Sequence, residues 1–459
     1  MKKYIIALVA AGLFMQSCSN KLDVKPYDSV EAGEALSDLN GVNTALGGVY
    51  DVLQETAYYG RNYWVMTELN ADNGYISTTN GNRFLSSFRH DYVTADADVE
   101  DFWASAYKGI MRANRILEAV DNINASQDDK DRIKGEALFL RALMHFDLVN
   151  VFARPYAQGN GAQAGIPIKI KYELATPGRN TVKEVYDQVI ADLTQAKSLL
   201  KNIGIGTKYK ASQYAASALL ARVYLYKGDK ANAITEATNV INAGYQIQGS
   251  SIEFYSTPGT ADEIFTLRFM ASEATGSNDM GAMYQMYSYG DVRVSPDLYT
   301  TLDSSDSRNV YFEAYSHEFL NAKFTIQDGK DGLTSPKLLR LEEMYLVRAE
   351  ANSSTNPDAA IADVNVIREK RNLKPLSGVA PNAVLDSVLA ESRKEFMFEG
   401  HRYFDLLRNG RGVNRNFCGN PLAITAPCSF GANATNLIWP IPQAEKNTNP
   451  GIEQNEGYE

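Results

Sequence analysis

The sequence predicts a mostly α-helical protein, in which helix pairs form a scaffold and long loop-rich segments with short strands interrupt it. Apolar residues recur at intervals of three and four positions in several long stretches, which is the period of one helix face. These stretches are separated by segments rich in Gly, Asn, Ser, Tyr and Asp at residues 56–97, 244–336 and 411–459. The segments contain too many aromatic residues for disordered chain, so we expect them to carry the functional surface.

Three long helices are predicted in the first half of the chain, at residues 98–123, 128–153 and 181–202. The third has a well-defined start, because Thr181 followed three positions later by Glu184 is the pattern of a capping box. In that motif the two side chains satisfy backbone N–H groups that the first helical turn leaves without partners.

Residues 209–245 predict two helices that form a hairpin. Gly228 and Asp229 interrupt the periodic pattern, and Gly244 ends it. Small residues on the facing sides, a short turn and a length of about 34 residues are typical of a tetratricopeptide-type hairpin. Residues 338–373 repeat this arrangement, with SSTNPD as the turn.

A last helix is predicted over residues 383–410, where apolar and charged positions alternate with helical period. The loop-rich segments contain only short strand-like runs, such as EIFTLRF at 263–269. The DGKDG stretch at 328–332 does not match a calcium-binding loop and predicts a hairpin turn.

The chain begins like an exported protein. Lys2 and Lys3 precede an apolar run at residues 4–14, and residues 15–17 then lead into Cys18. The run of about a dozen apolar residues is too short to span a bilayer, which takes about 20. The approach to Cys18 resembles a bacterial lipoprotein cleavage box, so we predict a signal peptide at 1–17 and a lipid on Cys18. A plain secreted protein is the alternative.

The charge of the chain argues against binding to nucleic acid. Its formal charge is −10, and loss of residues 1–17 would remove two lysines and no acids, which gives −12. No block of basic residues rises above this acidic background. The 44% content of hydrophobic residues is enough for a sizeable core.

Cys418 and Cys428 are expected to form a disulfide. They lie in a loop punctuated by Gly and Pro, and an exported protein folds in a compartment that permits disulfides. Two buried free thiols are the alternative. We predict no metal site and no cofactor, because none of the histidines lies at ligand spacing from another histidine or from a cysteine. These histidines are His90, His145, His317 and His401.

Two pairs of glutamates on helix faces raise the question of catalysis. Glu395 and Glu399 are four positions apart, and Glu343 and Glu350 are seven apart. Two carboxyl groups about 5 to 5.5 Å apart would suit a retaining glycosidase. Alternating charges on a helix usually form salt bridges, however, and no nucleophile elbow, phosphate loop or metalloprotease motif is present. We therefore predict that the chain is not an enzyme. The interleaved arginines are Arg340, Arg348, Arg393, Arg402 and Arg408.

The aromatic residues of the loop-rich segments give the strongest functional signal. Tyrosine has a flat apolar face and a polar tip, which suits stacking on a sugar while amide neighbours bind its hydroxyl groups. The alternative is that these rings anchor the loops to the scaffold, which we favour for Trp64 and Trp103. The side chains predicted to contact a ligand are Asp72, Asn73, Tyr75, Arg83, Tyr284, Tyr287, Tyr289 and Arg293.

Nine sequence segments, taken together and in order, resemble the SusD/RagB family of nutrient-uptake lipoproteins of Bacteroidetes. The resemblance covers nearly all of the chain after Cys18. It is carried by GVYDVLQ, YWVMTELNADNG, FWASAYKGIMRANRIL, GEALFLRALMHFDLVNVFARPY, GIPI, GRNTVKEVYDQVIADL, LRLEEMYLVRAEA, RKEFMFEGHRYFDLLRNG and LIWPIPQAEKNTNPGIEQNEGY.

This resemblance implies a fold with about four tetratricopeptide-like helix pairs. It divides the chain into an N-terminal region at 18–230 and a C-terminal region at 231–459, which form one compact unit. It also implies a lipid-anchored protein of the outer membrane, exposed on the cell surface, that binds an oligosaccharide and delivers it to a SusC-like TonB-dependent transporter. The alternatives are a peptide-binding protein of the same family and a tetratricopeptide scaffold that binds only protein.

Overall fold

The computed structural model describes residues 35–251 and 253–458, so the predicted signal peptide and Cys18 lie outside the described residues. None of the helices in this part of the chain has the length and apolar character needed to cross a membrane. The helices are α1 (Leu39–Gln54), α2 (Asn62–Leu69), α3 (Leu85–Arg89), α4 (Ala97–Ala119), α5 (Gln127–Phe152), α6 (Tyr156–Gly159), α7 (Val182–Leu199), α8 (Gln213–Lys227), α9 (Lys230–Ile241), α10 (Pro296–Thr300), α11 (Leu341–Asn352), α12 (Pro357–Lys370), α13 (Val384–Glu395), α14 (Arg402–Arg408) and α15 (Gln443–Thr448).

The long helices pack in series along the chain and form the scaffold. Helix α1 packs on α4, α4 on α5, α5 on α7, α7 on α8, α8 on α9, α9 on α11 and α11 on α12. The predicted hairpin is present as α8 and α9, whose connection is short because Gly228 adopts φ +83° and Asp229 caps α9. Thr181 and Glu184 form the predicted capping box at the start of α7.

The hydrophobic core runs continuously through the scaffold and the loop-rich segments. It includes side chains from Val42 near the N-terminal end to Tyr458 near the C-terminal end. Residues from both of the regions expected from the sequence therefore share one core. A smaller cluster lies between α11, α12 and α13.

Short antiparallel strands tie distant loops together. Within the described residues the strands form five two-stranded sheets, β1 with β3, β2 with β8, β4 with β5, β6 with β7 and β9 with β10. The strands are β1 (Gly74–Ile76), β2 (Glu263–Thr266), β3 (Val292–Val294), β4 (Phe312–Tyr315), β5 (Glu318–Asn321), β6 (Ile326–Gln327), β7 (Lys330–Asp331), β8 (Lys337–Arg340), β9 (Val413–Asn414) and β10 (Ser429–Phe430). The predicted strand at 263–269 is present as β2, and the predicted turn at 328–332 joins β6 to β7.

The prediction of one helix over 383–410 was wrong. Helix α13 ends at Glu395, α14 begins at Arg402, and a turn at residues 396–401 separates them. In this turn Phe398 has φ +63° and Gly400 has φ +75°, values that a right-handed helix does not contain. The segment 56–97, predicted as loop with short strands, also contains α2 and α3.

A buried network of charges fixes that turn. Glu395 accepts hydrogen bonds from Arg371 at 2.6 and 2.9 Å, from Arg340 at 2.7 Å and from Arg308 at 3.2 Å. Lys323 donates to the Glu399 carboxylate at 2.7 Å and to the backbone oxygen of Glu395 at 3.1 Å. All six side chains are almost completely buried. Buried charges at this density are stable only when each one is paired.

These glutamates do form salt bridges, as predicted, but their partners differ from those expected. Arg340, expected beside Glu343 and Glu350, instead binds Glu395 and Glu399. Arg408 pairs with Glu350 across two helices, whereas Glu343 pairs with Arg222. Other arginines that were expected to form salt bridges with the glutamates bind aspartates instead. Arg348 pairs with Asp363, and Arg393 and Arg402 pair with Asp72.

We expect Glu395→Gln to lower the free energy of unfolding by about 3–5 kcal/mol, because it leaves buried guanidinium groups without their carboxylate. Urea unfolding followed by circular dichroism would measure the change. Glu313→Gln is the matched control, since Glu313 is exposed on β4. A loss no larger than that of the control would contradict the structural role of Glu395.

Acid should weaken the same network in a defined pH range. Burial alone would raise the pKa of Glu399, but Arg340 and Lys323 lower this pKa from 4.5 to about 2. The stabilisation by the ionised carboxylate is then complete above pH 4.5 and is lost as the pH falls towards 2. Thermal unfolding between pH 5 and 2 should show a shallower decline for Glu399→Gln than for the wild type.

Candidate functional site

The candidate ligand surface is formed where an arm of the chain, residues 77–83, lies against the loop at 284–291. The arm continues strand β1, which pairs with β3. Ser77 N–H donates to the Asp291 backbone oxygen at 2.9 Å, and Gly81 N–H donates to both carboxylate oxygens of Asp291 at 3.0 Å. Asp291 therefore holds the arm against the loop at two points, Ser77 and Gly81.

Arg83 and Tyr289 meet on this surface and form a stacked pair. The Arg83 guanidinium carbon lies 3.7 Å from the centre of the Tyr289 ring, and Arg83 Nη2 donates to the Tyr289 hydroxyl at 2.5 Å. The ideal Cβ position of Gly81 lies only 3.2 Å from the Tyr289 ring, so a larger residue at Gly81 would crowd the stack. Both side chains remain partly exposed.

Arg61 extends the surface beside this pair. Its Nη1 donates to the side-chain oxygen of Asn278 at 2.9 Å, and Arg83 Nη1 reaches the same oxygen at 3.4 Å. Arg61 also lies over the Phe84 ring. Burial, followed by the nearby Arg83 charge, lowers the pKa of Arg61. Two cations thus converge on one neutral amide.

Tyr287 supplies an open aromatic face on the same loop as Tyr289. It is 51% exposed, more than any of the other tyrosines predicted to contact a ligand. Its hydroxyl lies 3.4 Å from the backbone oxygen of Thr325 and close to Gly332, so the ring rests on the β6–β7 hairpin. Partial burial raises the pKa of Tyr287.

The other predicted ligand residues lie in the interior, and their expected roles are revised. Tyr284 is fully buried and packs its ring against Phe324 and Phe398. Tyr75 is also buried, with its hydroxyl donating to Glu318 at 2.9 Å, and Arg293 reaches the same carboxylate at 3.4 Å. Because these side chains are enclosed by protein, we assign them to packing.

Asp72 and Asn73 are likewise buried, and they connect β1 to the helical scaffold. Arg402 donates to both oxygens of the Asp72 carboxylate at 2.8 and 2.9 Å, and Arg393 donates to the Asn73 side-chain oxygen at 2.9 Å. The two arginines hold the pKa of Asp72 below its usual value against the effect of burial. These contacts fix the strand from which the arm extends.

The aromatic cluster at 58–64 forms a second interior feature. The hydroxyls of Tyr58, Tyr59 and Tyr63 donate to the Asp147 carboxylate at 2.6, 2.7 and 3.3 Å. Burial raises the pKa of Asp147 to about 6 even though these hydrogen bonds oppose the shift. Trp64 is buried as predicted, and so is Trp103 in α4. The cluster therefore packs the scaffold.

A disulfide-closed loop supports the arm from its other side. Cys418 and Cys428 are joined by a disulfide. The loop between them pairs with the start of the arm, because Thr78 N–H donates to Leu422 O at 2.8 Å and Ile424 N–H donates to Ile76 O at 2.9 Å. A cavity of about 530 Å³ lies inside this loop and reaches Thr78 and Phe88.

Of the predicted ligand residues, the structure brings together Arg83, Tyr287 and Tyr289 at an exposed surface. Sequence reasoning missed Arg61 and Asn278. Arg61 lies inside the aromatic cluster YYGRNYW, which could have drawn attention to it, whereas Asn278 has no sequence signal. Within the described residues, no group of His, Cys, Asp and Glu side chains has an arrangement that would hold a metal ion.

Two family models match the chain and together cover residues 21–458. Residues 21–225 match a model described as starch-binding associating with outer membrane. Residues 188–458 match the model of the SusD family, which by itself covers more than half of the sequence.

Individual proteins also resemble the chain, and two of the three described below do so over most of its length. A SusD-like protein of Formosa agariphila is 26% identical and is covered completely, as is this chain. The starch-binding protein SusD of Bacteroides thetaiotaomicron is 32% identical over 27% of this chain and 22% of its own length. A crystal structure of a SusD superfamily protein from the same organism has a TM-score of 0.82 at 28% identity, covering 91% of this chain and 99% of that one. These similarities confirm the predicted fold class.

Removal of the disulfide should loosen the arm without unfolding the scaffold. In the chain-entropy model, closing a loop of about ten residues contributes on the order of 3 kcal/mol. We expect Cys418→Ser/Cys428→Ser to speed hydrogen exchange of the Thr78 and Ile424 amides by at least about tenfold. The Thr266 amide, which donates to Lys208 O, is the internal control. Unchanged exchange at Thr78 would show that the disulfide does not support the arm.

Proposed function

The chain belongs to the SusD family, and on that premise we propose that it is a lipid-anchored outer-membrane protein that binds an oligosaccharide. It then delivers this oligosaccharide to a SusC-like TonB-dependent transporter. Cys18 carries the lipid, and the protein faces the cell exterior. Support for the ligand class comes from the starch-binding description of the matching family model and the name of the SusD relative.

The observation that carries the proposal is the exposed arrangement of Tyr287 with the Arg83–Tyr289 stack. An aromatic ring and a planar guanidinium are flat surfaces on which the apolar face of a sugar ring can stack. The exposed side chains of Asn82 and Asn278 lie beside them and supply amide groups that can bind sugar hydroxyls. Both loops are fixed by backbone contacts, so little order has to be gained on binding.

The proposed surface binds the oligosaccharide and does not catalyse its hydrolysis. The glutamate pairs that would suit glycoside hydrolysis lie in the interior, and each carboxylate is held by arginine or lysine. Glu399, for example, accepts hydrogen bonds from Arg340 and Lys323 and has a pKa of about 2. A general acid needs a raised pKa and access to the substrate, and Glu399 has neither.

The proposed ring contacts are tested by the double variant Tyr287→Ala/Tyr289→Ala. Stacking on an aromatic ring is worth about 1 kcal/mol or more, so loss of both rings should weaken binding by about tenfold or more. The measurement is isothermal titration calorimetry of residues 19–459 with a panel of oligosaccharides and a panel of peptides. The oligosaccharides that bind the wild type are then titrated into the variant.

Tyr172→Ala is the matched control for this experiment. Tyr172 is 49% exposed and lies under Arg115, so it reproduces both the exposure of Tyr287 and the cation contact of Tyr289 at another surface. Equal losses in the control and the double variant would exclude the proposed site. Binding of peptides alone would assign the chain to a peptide-uptake role instead.

A further inference from the structure

We propose that the oligosaccharide carries an anionic group, a carboxylate or a sulfate ester, and that Arg61 and Arg83 bind this group together. The inference rests on the proposed function, because it names the chemical class of the carbohydrate. It starts from the partners of the two guanidinium groups. Among the described residues, neither group has a carboxylate within ion-pair distance, and their side-chain partners are the neutral groups of Asn62, Asn278 and Tyr289.

This pairing differs from that of other buried arginines in the protein. Arg61 is only 8% exposed. Most buried guanidinium groups at comparable depth are neutralised by carboxylates, as Arg141 is by Asp192 and Arg371 is by Glu395. Removal of a cation from water is costly unless an anion accompanies it. Arg61 therefore lacks the carboxylate partner that most other buried arginines of this protein have.

Arg415 is another buried arginine without a carboxylate, and it shows why Arg61 is different. Arg415 is enclosed by backbone oxygens of Leu69, Ala71 and Phe88, which cannot move away without unfolding of the chain. Arg61 instead depends on Asn278, an exposed side chain in a short 3-10 turn. This partner can rotate into solvent and leave both guanidinium groups to a ligand.

The convergence of Arg61 and Arg83 on one oxygen also favours an anion. Two like charges on the same acceptor repel each other, and an anion placed between them removes the repulsion. Guanidinium groups are forked donors that match the oxygens of a carboxylate or a sulfate. The Tyr289 hydroxyl lies at the same place and can donate a further hydrogen bond.

Two acids interact electrostatically with these arginines, but neither takes the place of this anion. The Asp98 charge partly opposes the lowering of the Arg61 pKa, but the Asp98 carboxylate accepts a hydrogen bond from Asn62. Burial raises the pKa of Asp291 and the nearby Arg83 charge opposes this rise, but both oxygens of Asp291 accept from the Gly81 N–H. Each acid is committed to local backbone or amide structure, and neither forms an ion pair with these arginines in the described part of the chain.

The test compares charged probes with their neutral forms by isothermal titration calorimetry. One pair is a tetragalacturonate and its methyl ester, and the other is a sulfated galactan oligosaccharide and its desulfated form. We expect at least one charged probe to bind about tenfold or more tightly than its neutral form, because charge-assisted bonds are roughly twice as strong as neutral ones. The pair that shows the difference distinguishes carboxylate from sulfate. The preference should shrink as salt is raised.

Variants assign the preference to the two arginines. Arg61→Gln and Arg83→Gln should each reduce the preference for the charged probe to about twofold or less. Arg112→Gln is the matched control, since Arg112 also donates to a neutral oxygen, that of Gly48, on another surface. Circular dichroism verifies that each variant is folded.

Each result decides between the two proposals. Neutral and charged forms that bind the wild type equally would overturn the anionic ligand while leaving oligosaccharide binding in place. A charged preference that survives both arginine variants would also overturn it. Failure of the wild type to bind any oligosaccharide, charged or neutral, would overturn the proposed function and this inference together.

Discussion

Glu395 is the buried carboxylate on which the architecture beneath the ligand surface depends. Its charge is shared by Arg308, Arg340 and Arg371, which come from three separate segments of the chain. Such a carboxylate cannot lose one partner without exposing another charge to the apolar interior. The network therefore locks the loop-rich insertion between α9 and α11 onto α12 and α13.

The same network reaches the ligand surface through the turn at residues 396–401. Lys323 donates to three oxygen atoms in or next to that turn, the backbone oxygens of Glu395 and Met397 and a carboxylate oxygen of Glu399. This contact keeps Phe398 under the Tyr284 ring, and Tyr284 begins the loop that carries Tyr287 and Tyr289. The burial of Tyr284 is thus part of the site, because it positions the exposed rings without touching a ligand.

The sequence was sufficient for those features that depend on local spacing. The α8–α9 hairpin, the capping box at Thr181 and the disulfide partners each lie within a short stretch, where residue type and interval determine the structure. The turn within 383–410 could not be predicted, because helical periodicity continues through it and the charges that bend the chain come from distant segments. The Arg61–Asn278 contact could not be predicted either, because its partners lie 217 positions apart in the sequence.

Arginines have different partners in the scaffold and at the proposed ligand surface. Most of the interior arginines are matched to carboxylates on neighbouring elements, and removal of one partner from such a pair is strongly destabilising. At the arm, Arg61 and Arg83 donate to neutral groups instead, the Asn278 side-chain oxygen and the Tyr289 hydroxyl. These partners position the guanidinium groups without neutralising their charge. Substitution of a few loop residues can therefore change the charge and shape of the surface while the paired interior stays constant. This division explains how one helical scaffold can serve different ligands, since recognition depends on side chains that the core does not require.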